Sequence, residues 1–265
     1  MTVPVLLVAH GSRDPRAAAS TQALRRAVAA ASPERPVAVA YLDHHQPTVP
    51  RALAAFAAAG HTSTVVVPLL LTSAYHGRVD LPALLAETRA AGIGVHAVQS
   101  DVLGPRGQAV DAKLVVALRR RLGQLYHEYD ALVLAAAGTR DATARSTVDA
   151  AAAALVTALG VRCLAAYASA AAPTPGDAVR LLRAGGATRV AVASYFLAPG
   201  LLHDRALASA ASAGAVGASA PLGDVPAVAR LVLDRASVAA LTMSATTHRE
   251  VSRRAAVRRP AAQAT

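Results

Sequence analysis

At 265 residues, 54% of them apolar, the chain is long enough for one large or two ordinary domains with substantial cores, which excludes a disordered or fibrous class. Aromatic residues make up 3% with no Trp, against a stacking platform for single-stranded nucleic acid, and the one cysteine, Cys163, excludes a disulfide framework or a multi-cysteine metal site built from this chain alone. The formal charge of +11 is almost entirely arginine, Lys113 being the only lysine; without recognition-helix or aromatic signatures it fits an anionic small substrate better than DNA.

The first stretch sets the pattern. Val3–Ala9 is an apolar strand that runs into His10, Gly11, Ser12, Arg13 and Asp14, and Pro15 precedes an alanine-rich segment predicted as a helix over 16–31. A buried strand thus delivers a histidine to its carboxyl end, where open α/β sheets bind ligands. A turn or core histidine is the bland alternative for His10. Further strands are predicted over 37–42, 64–71 and 94–99, and helices over 48–59, near 81–91 and over 106–127, with Pro47 opening the first of these three and Gly60 closing it. Strands separated by helices predict a mainly parallel sheet flanked by helices. The start carries no leader pattern and no apolar run is long enough to span a bilayer without interruption, so the expectation is a soluble, cytoplasmic protein.

The pattern then repeats. Ala131–Ala137 is another apolar strand, and Ala136-Ala137-Gly138-Thr139-Arg140-Asp141 matches Ala9-His10-Gly11-Ser12-Arg13-Asp14 position for position. Ala166-Tyr167 before Pro173-Thr174 echoes Ala40-Tyr41 before Pro47-Thr48, and Gly186-Ala187-Thr188 echoes Gly60-His61-Thr62, all at a spacing of 126 or 127 residues. The chain therefore reads as a duplicated α/β domain: residues 1–127 carrying the site, 128–241 a degenerate copy, and 242–265 a disordered basic tail with five arginines against Glu250. A cleft between the two copies follows by inference from the duplication.

Comparing the copies isolates the chemistry. His10 becomes Ala137, Asp43 becomes Ser169, and His76 falls opposite Leu202 with His203 next to it. His10, Asp43 and His76 each sit at or just past the end of a successive strand, so they can converge on one crevice. Two imidazoles and a carboxylate with open positions suit a divalent first-row metal held reversibly. Asp43 also reads as a solvated strand end or helix cap, and His44 and His45 as additional transient ligands.

These residues carry a resemblance. A strand ending in AHGSR, an acidic residue after the second strand ahead of a Pro-Thr helix start, and a histidine in the loop after the third strand resemble the class II chelatases, the CbiX/SirB sirohydrochlorin chelatase family, in its two-domain long form over roughly residues 3–240. The resemblance implies insertion of Fe²⁺ or Co²⁺ into the octacarboxylate sirohydrochlorin, with iron favoured, no prosthetic group, and a monomer or homodimer with neither nucleic-acid nor membrane partner. It implies metal ligands at His10, Asp43 and His76, with His10 and His76 catalytic. Two features depart from the family pattern: Asp43 stands where Glu is usual, and Leu-Thr-Ser-Ala-Tyr-His-Gly-Arg replaces Leu-Ser-Pro-Gly-Arg-His.

Substrate carboxylates are expected to meet the guanidinium groups of Arg13 and Arg78, the backbone N–H groups of Gly11 and Ser12 at a helix start, and Ser73 and Tyr75. Two competitors remain. A histidine phosphatase also opens with a strand and His-Gly, but an arginine normally precedes that histidine where Ala9 stands here; a metal or tetrapyrrole carrier would use the same residues without turnover.

Overall fold

The computed structural model describes residues 2–72, 81–125 and 128–257, with 245–257 as helix backbone. The first repeat runs β1 (Val5–Ala9), α1 (Pro15–Ala31), β2 (Val37–Tyr41), α2 (Val49–Ala58), β3 (Ser63–Pro68), α3 (Leu81–Ala90), β4 (His96–Gln99) and α4 (Ala112–Leu122). The second runs β5 (Ala131–Ala136), α5 (Ala142–Leu159), β6 (Arg162–Tyr167), α6 (Pro175–Ala184), β7 (Val190–Ser194), α7 (Leu201–Ser212), β8 (Gly217–Ala218) and α8 (Pro226–Val257). Each repeat forms a four-stranded parallel sheet, in the orders β2-β1-β3-β4 and β6-β5-β7-β8. In that order the connections leave β1 on one side and β3 on the other, so the crevice of the first sheet opens beyond the ends of β1 and β3, and that of the second beyond β5 and β7.

Alternation along the strands assigns the layers. Leu6 and Val8 of β1 face outward and pack with Val49, Leu53 and Phe56 of α2 and Leu81 of α3. Val5 and Leu7 face inward into a larger apolar layer with Leu24 and Val28 of α1, Leu114 and Leu118 of α4, Leu155 of α5, and Val228, Leu231 and Val232 of α8. The outer face of the second sheet packs on α6 and α7 through Val179, Leu182, Ala206 and Ala210. One apolar layer therefore lies between the two sheets and belongs to both.

The final helix of each repeat crosses over. Helix α8 follows the second sheet in sequence but packs on α1, α4 and the β3–β4 edge of the first, while α4 packs on α5 and β7 of the second. Arg235 of α8 is buried; its Nε donates to the Val102 carbonyl at 2.9 Å and its Nη1 lies 3.4 Å from Asp111 Oδ2 at the start of α4. Lys113 pairs with Asp234 at 2.6 Å in the same seam, but both side chains are exposed.

Two expectations are corrected. The helix predicted over 106–127 begins only at Ala112, because Gly104, Pro105 and Gly107 hold an irregular segment that ends where Asp111 caps Lys113 N–H at 3.0 Å. A Cβ on Gly104 would lie 1.8 Å from the Leu71 carbonyl oxygen, so the backbones touch there. The stretch after Leu241, expected to be disordered, continues α8 as far as Val257; residues 258–265 lie outside the described residues. Its alanines and arginines are strong helix formers, and they extend a helix already nucleated by packing.

At the start of the second repeat Asp130 ties the entry of β5 to the segment before β7. Its carboxylate accepts the Thr188 hydroxyl at 2.6 Å, the Thr188 N–H at 2.8 Å and the Arg189 N–H at 3.0 Å, and these bonds hold its pKa at about 2 against the usual 3.8. A lowered carboxylate pKa stabilises the fold above the unfolded value, and the contribution is lost as pH falls through the folded one. The gap in thermal midpoint between wild type and Asp130→Asn, measured first near about pH 6, is expected to close as pH falls from about 4 towards 2.

A second expectation concerns the exchanged helix: Arg235→Ala should lower stability by about 2 kcal/mol, because it strands a buried carbonyl and part of the Asp111 charge. Lys113→Ala should cost under about 1 kcal/mol, as its pair is exposed. Urea midpoints of the two variants test the contrast.

Candidate active site

His10 leaves β1 at the crevice of the first sheet. The Asp43 N–H donates to its carbonyl at 2.8 Å, and the Leu42 N–H to the Ala9 carbonyl at 3.0 Å, so the segment after β2 is zipped onto the segment after β1. Gly11 has φ +97°, and a Cβ there would sit 1.8 Å from the Asp43 carbonyl oxygen; only glycine passes. The Ser12 Oγ accepts the Asp14 N–H at 3.1 Å, and Asp14 caps α1 by accepting the Arg16 N–H at 2.9 Å. The His45 Nε2 lies 2.6 Å from the Ser12 carbonyl, and its ring packs at 5.2 Å on Tyr41.

The second repeat has the same skeleton without the chemistry. Gly138 also has φ +97°, its added Cβ would lie 1.9 Å from the Ser169 carbonyl oxygen, and the Ser169 N–H donates to the Ala137 carbonyl at 3.0 Å. His44 and Ala170 share a positive φ of 63° and 62°, and both Gln46-Pro47 and Ala172-Pro173 are cis. The Thr139 Oγ1 accepts the Asp141 N–H at 3.2 Å, and Asp141 caps α5. Both turns are built on the same backbone contacts.

The two crevices face each other as neighbouring cavities. One, of about 160 Å³, is lined by Ala9 to Ser12, by Ala17, Ser20 and Leu24 of α1, and by Leu69, Leu197 and Ala198. Its counterpart, of about 190 Å³, is lined by Ala136 to Thr139, Tyr167, Tyr195 and the segment Leu69 to Thr72. Burial pushes the Tyr167 hydroxyl up to about 12, and it raises that of Tyr195, whose O–H donates to the Leu71 carbonyl at 3.3 Å. A larger opening of about 710 Å³ extends along Ser100 to Gly107, Thr143 and Pro82. Thr72 thus borders the second of these cavities and Pro82 the larger opening.

The structure places the sequence-derived residues unevenly. His10 is exposed and lines the first cavity with the half-buried Gly11 and Ser12, while Arg13 is exposed and lines none of the cavities described. The exposed Asp43 carboxylate is turned towards His44, accepting its N–H at 2.7 Å and lying 3.4 Å from its Nε2. His45, an optional ligand by sequence, instead straps the Ser12 loop. Ser73, Tyr75, His76 and Arg78 lie outside the described residues, and among the described residues no three His, Cys, Asp or Glu side chains gather as a metal site.

His203 is buried against Phe196 with ring centroids 5.4 Å apart, its Nδ1 3.0 Å from Asp204 Oδ1. Asp204 in turn meets Arg16, a residue that sequence reasoning passed over because its partner is 188 positions away. Among the described residues no helix is long and apolar enough to cross a membrane.

Two parallel α/β repeats sharing a core and facing each other across a cleft, with a histidine on only one of two equivalent turns, define a duplicated chelatase-like protein. The chain belongs to the CbiX family, whose model matches residues 4–124 and again 131–239. The structure is similar to that of SirB from Bacillus subtilis with Fe³⁺, with a TM-score of 0.79 and 23% identity over 92% of this chain and 98% of that one. It is also similar to SirB from Bacillus subtilis subspecies spizizenii in complex with cobalt, with a TM-score of 0.73 and 23% identity over 89% and 94% of the two chains. At such identities the likeness is one of fold. In sequence, 83 residues are 30% identical to the sirohydrochlorin cobaltochelatase of Methanococcoides burtonii, a match spanning 31% of this chain and 63% of that protein's length.

Gly11→Ala should cost more than about 3 kcal/mol, since a Cβ cannot coexist with the Asp43 carbonyl, and Gly138→Ala a similar amount. Gly60→Ala, also at positive φ but with nothing within 4 Å, should cost only about 1 kcal/mol. Chemical denaturation of the three variants gives the ranking.

Proposed function

We propose that the protein is a sirohydrochlorin chelatase that inserts a divalent metal, Fe²⁺ or Co²⁺, with iron favoured, into the macrocycle. The observation that carries this reading is the asymmetry of the two turns: the backbone is kept in both repeats, while the first turn carries an imidazole at His10 and the second carries Ala137. Membership of the CbiX family and a relative named for cobalt insertion support the substrate class.

Insertion consumes one M²⁺ and releases two pyrrole protons, so the metal must be held loosely and a base must stand beside it. His10 and His76 act as open-site ligands and proton acceptors, since neutral imidazole titrates near about 6.5 and can both bind the ion and take a proton at physiological pH. Asp43 completes the ligand set by turning its carboxylate from His44 to the ion. The backbone N–H groups of Gly11 and Ser12, together with Arg13, Ser73, Tyr75 and Arg78, receive substrate carboxylates. The enzyme acts in the cytoplasm as a monomer or homodimer, with small molecules as its partners.

Anaerobic absorbance of sirohydrochlorin mixed with Fe²⁺ or Co²⁺ tests the reading. Wild-type protein should accelerate the spectral shift, and His10→Ala or His76→Ala should slow it by about 10²-fold or more while the protein remains folded. Binding of the tetrapyrrole with the rate left at its uncatalysed level would replace chelation by carriage.

A further inference from the structure

Arg16 lies in the first turn of α1, three residues past Arg13, and it ties the His10 loop to the opposite repeat. Its Nε lies 3.1 and 3.0 Å from the two Asp14 oxygens, and its Nη2 lies 2.5 Å from both Asp14 Oδ2 and Asp204 Oδ2. The other Asp204 oxygen accepts from His203 Nδ1 at 3.0 Å, and His203 Nε2 lies 3.5 Å from Ser194 Oγ, which donates to the Ser219 carbonyl at 2.6 Å. A polar chain thus runs from the active-site loop into the interior of the second repeat. A second tie, from Ser20 Oγ to the Leu197 carbonyl at 3.2 Å, lies along the same seam.

This seam walls the cavity beside His10, whose lining comes from α1 on one side and from Leu197 and Ala198 on the other. At about 160 Å³ that cavity is well below the roughly 300–1,000 Å³ of a small-molecule site, so a macrocycle that meets the exposed His10 enters the cavity behind it only when the seam widens. The Arg16 and Asp204 side chains are 54% and 47% exposed, which makes their pair weak enough to open repeatedly. His203, by contrast, is buried, and it fixes the carboxylate on which the pair depends.

We propose that Arg16 and Asp204 form a latch that holds the cleft closed beside His10, and that His203 is a positioning residue for this latch rather than a metal ligand. A latch of this kind taxes binding by the fraction of molecules in which it is closed, and removing it raises apparent affinity. The catalytic arm of the test rests on the chelatase reading; the exchange arm does not.

Asp204→Asn, at an exposed position, should raise amide hydrogen exchange about two- to fivefold in 14–20 and in 201–206 together, the range expected for an exposed ion pair. It should lower the KM for sirohydrochlorin by the same factor and leave Co²⁺ affinity, read from visible absorbance of the bound ion, unchanged. His203→Leu should reproduce these effects, and His203→Asn, which keeps an N–H donor near the Nδ1 position, should not. A merely structural role would raise KM or leave it alone. Exchange that changes in one segment without the other overturns the latch, as does an unchanged or higher KM in an active enzyme. If wild-type protein does not turn over sirohydrochlorin, the chelatase reading fails and the exchange measurement alone decides the latch.

Discussion

The apolar layer shared by the two sheets is the constraint on which the rest of the molecule depends. Leu7, Leu24, Leu114, Leu118, Leu132, Leu134, Leu155 and Leu231 meet in it with almost no exposure, each contributing about 1.5–3 kcal/mol by leaving water. Because α4 and α8 have changed places, neither repeat can bury its inner face alone. The carboxyl ends of both sheets are thereby held facing one another, and the cleft between them is a by-product of that packing. Its base is that shared core, and its rim is crossed by exposed polar ties such as Arg16 with Asp204, which cost far less to break than the core.

Duplication with divergence separates structural demand from chemical demand within a single chain. The positive φ at Gly11 and Gly138, the close approach to Asp43 and Ser169, and the caps at Asp14 and Asp141 occur in both repeats because the chain path requires them. At the position matching His10 the second repeat carries Ala137 on the same chain path, so that path does not call for an imidazole. A residue whose type the path leaves open, at the mouth of a switch point, is available for chemistry. His203 went the other way. Buried beside Phe196 and bonded to Asp204, it is an imidazole used for its shape and its N–H.

The strands and the repeat were legible in sequence because uninterrupted Val, Leu and Ala runs bounded by glycine and proline leave few alternatives, as in β1, β3 and β5. Element ends were less so. The helix expected from residue 106 starts at Ala112, since the segment before it is pressed against Leu71, a contact between backbones 33 residues apart. The stretch after Leu241 looked solvated from its arginines, but helix propagation from the packed part of α8 carries it on to Val257.

Residue order alone determined the α/β class, the duplication, and the histidine on one turn and not the other. These follow from local periodicity, backbone stereochemistry and comparison of two copies, none of which needs a third dimension. Tertiary structure decided the exchange of α4 and α8, the shared core, the direction of the Asp43 carboxylate towards His44, the strapping of His45 onto Ser12, and the union of Arg16 with Asp204. Each depends on which surfaces are buried against which across more than a hundred residues or across a loop whose path is set by its neighbours. No sequence pattern encodes that choice, because the energy that makes it is shared by the whole interface.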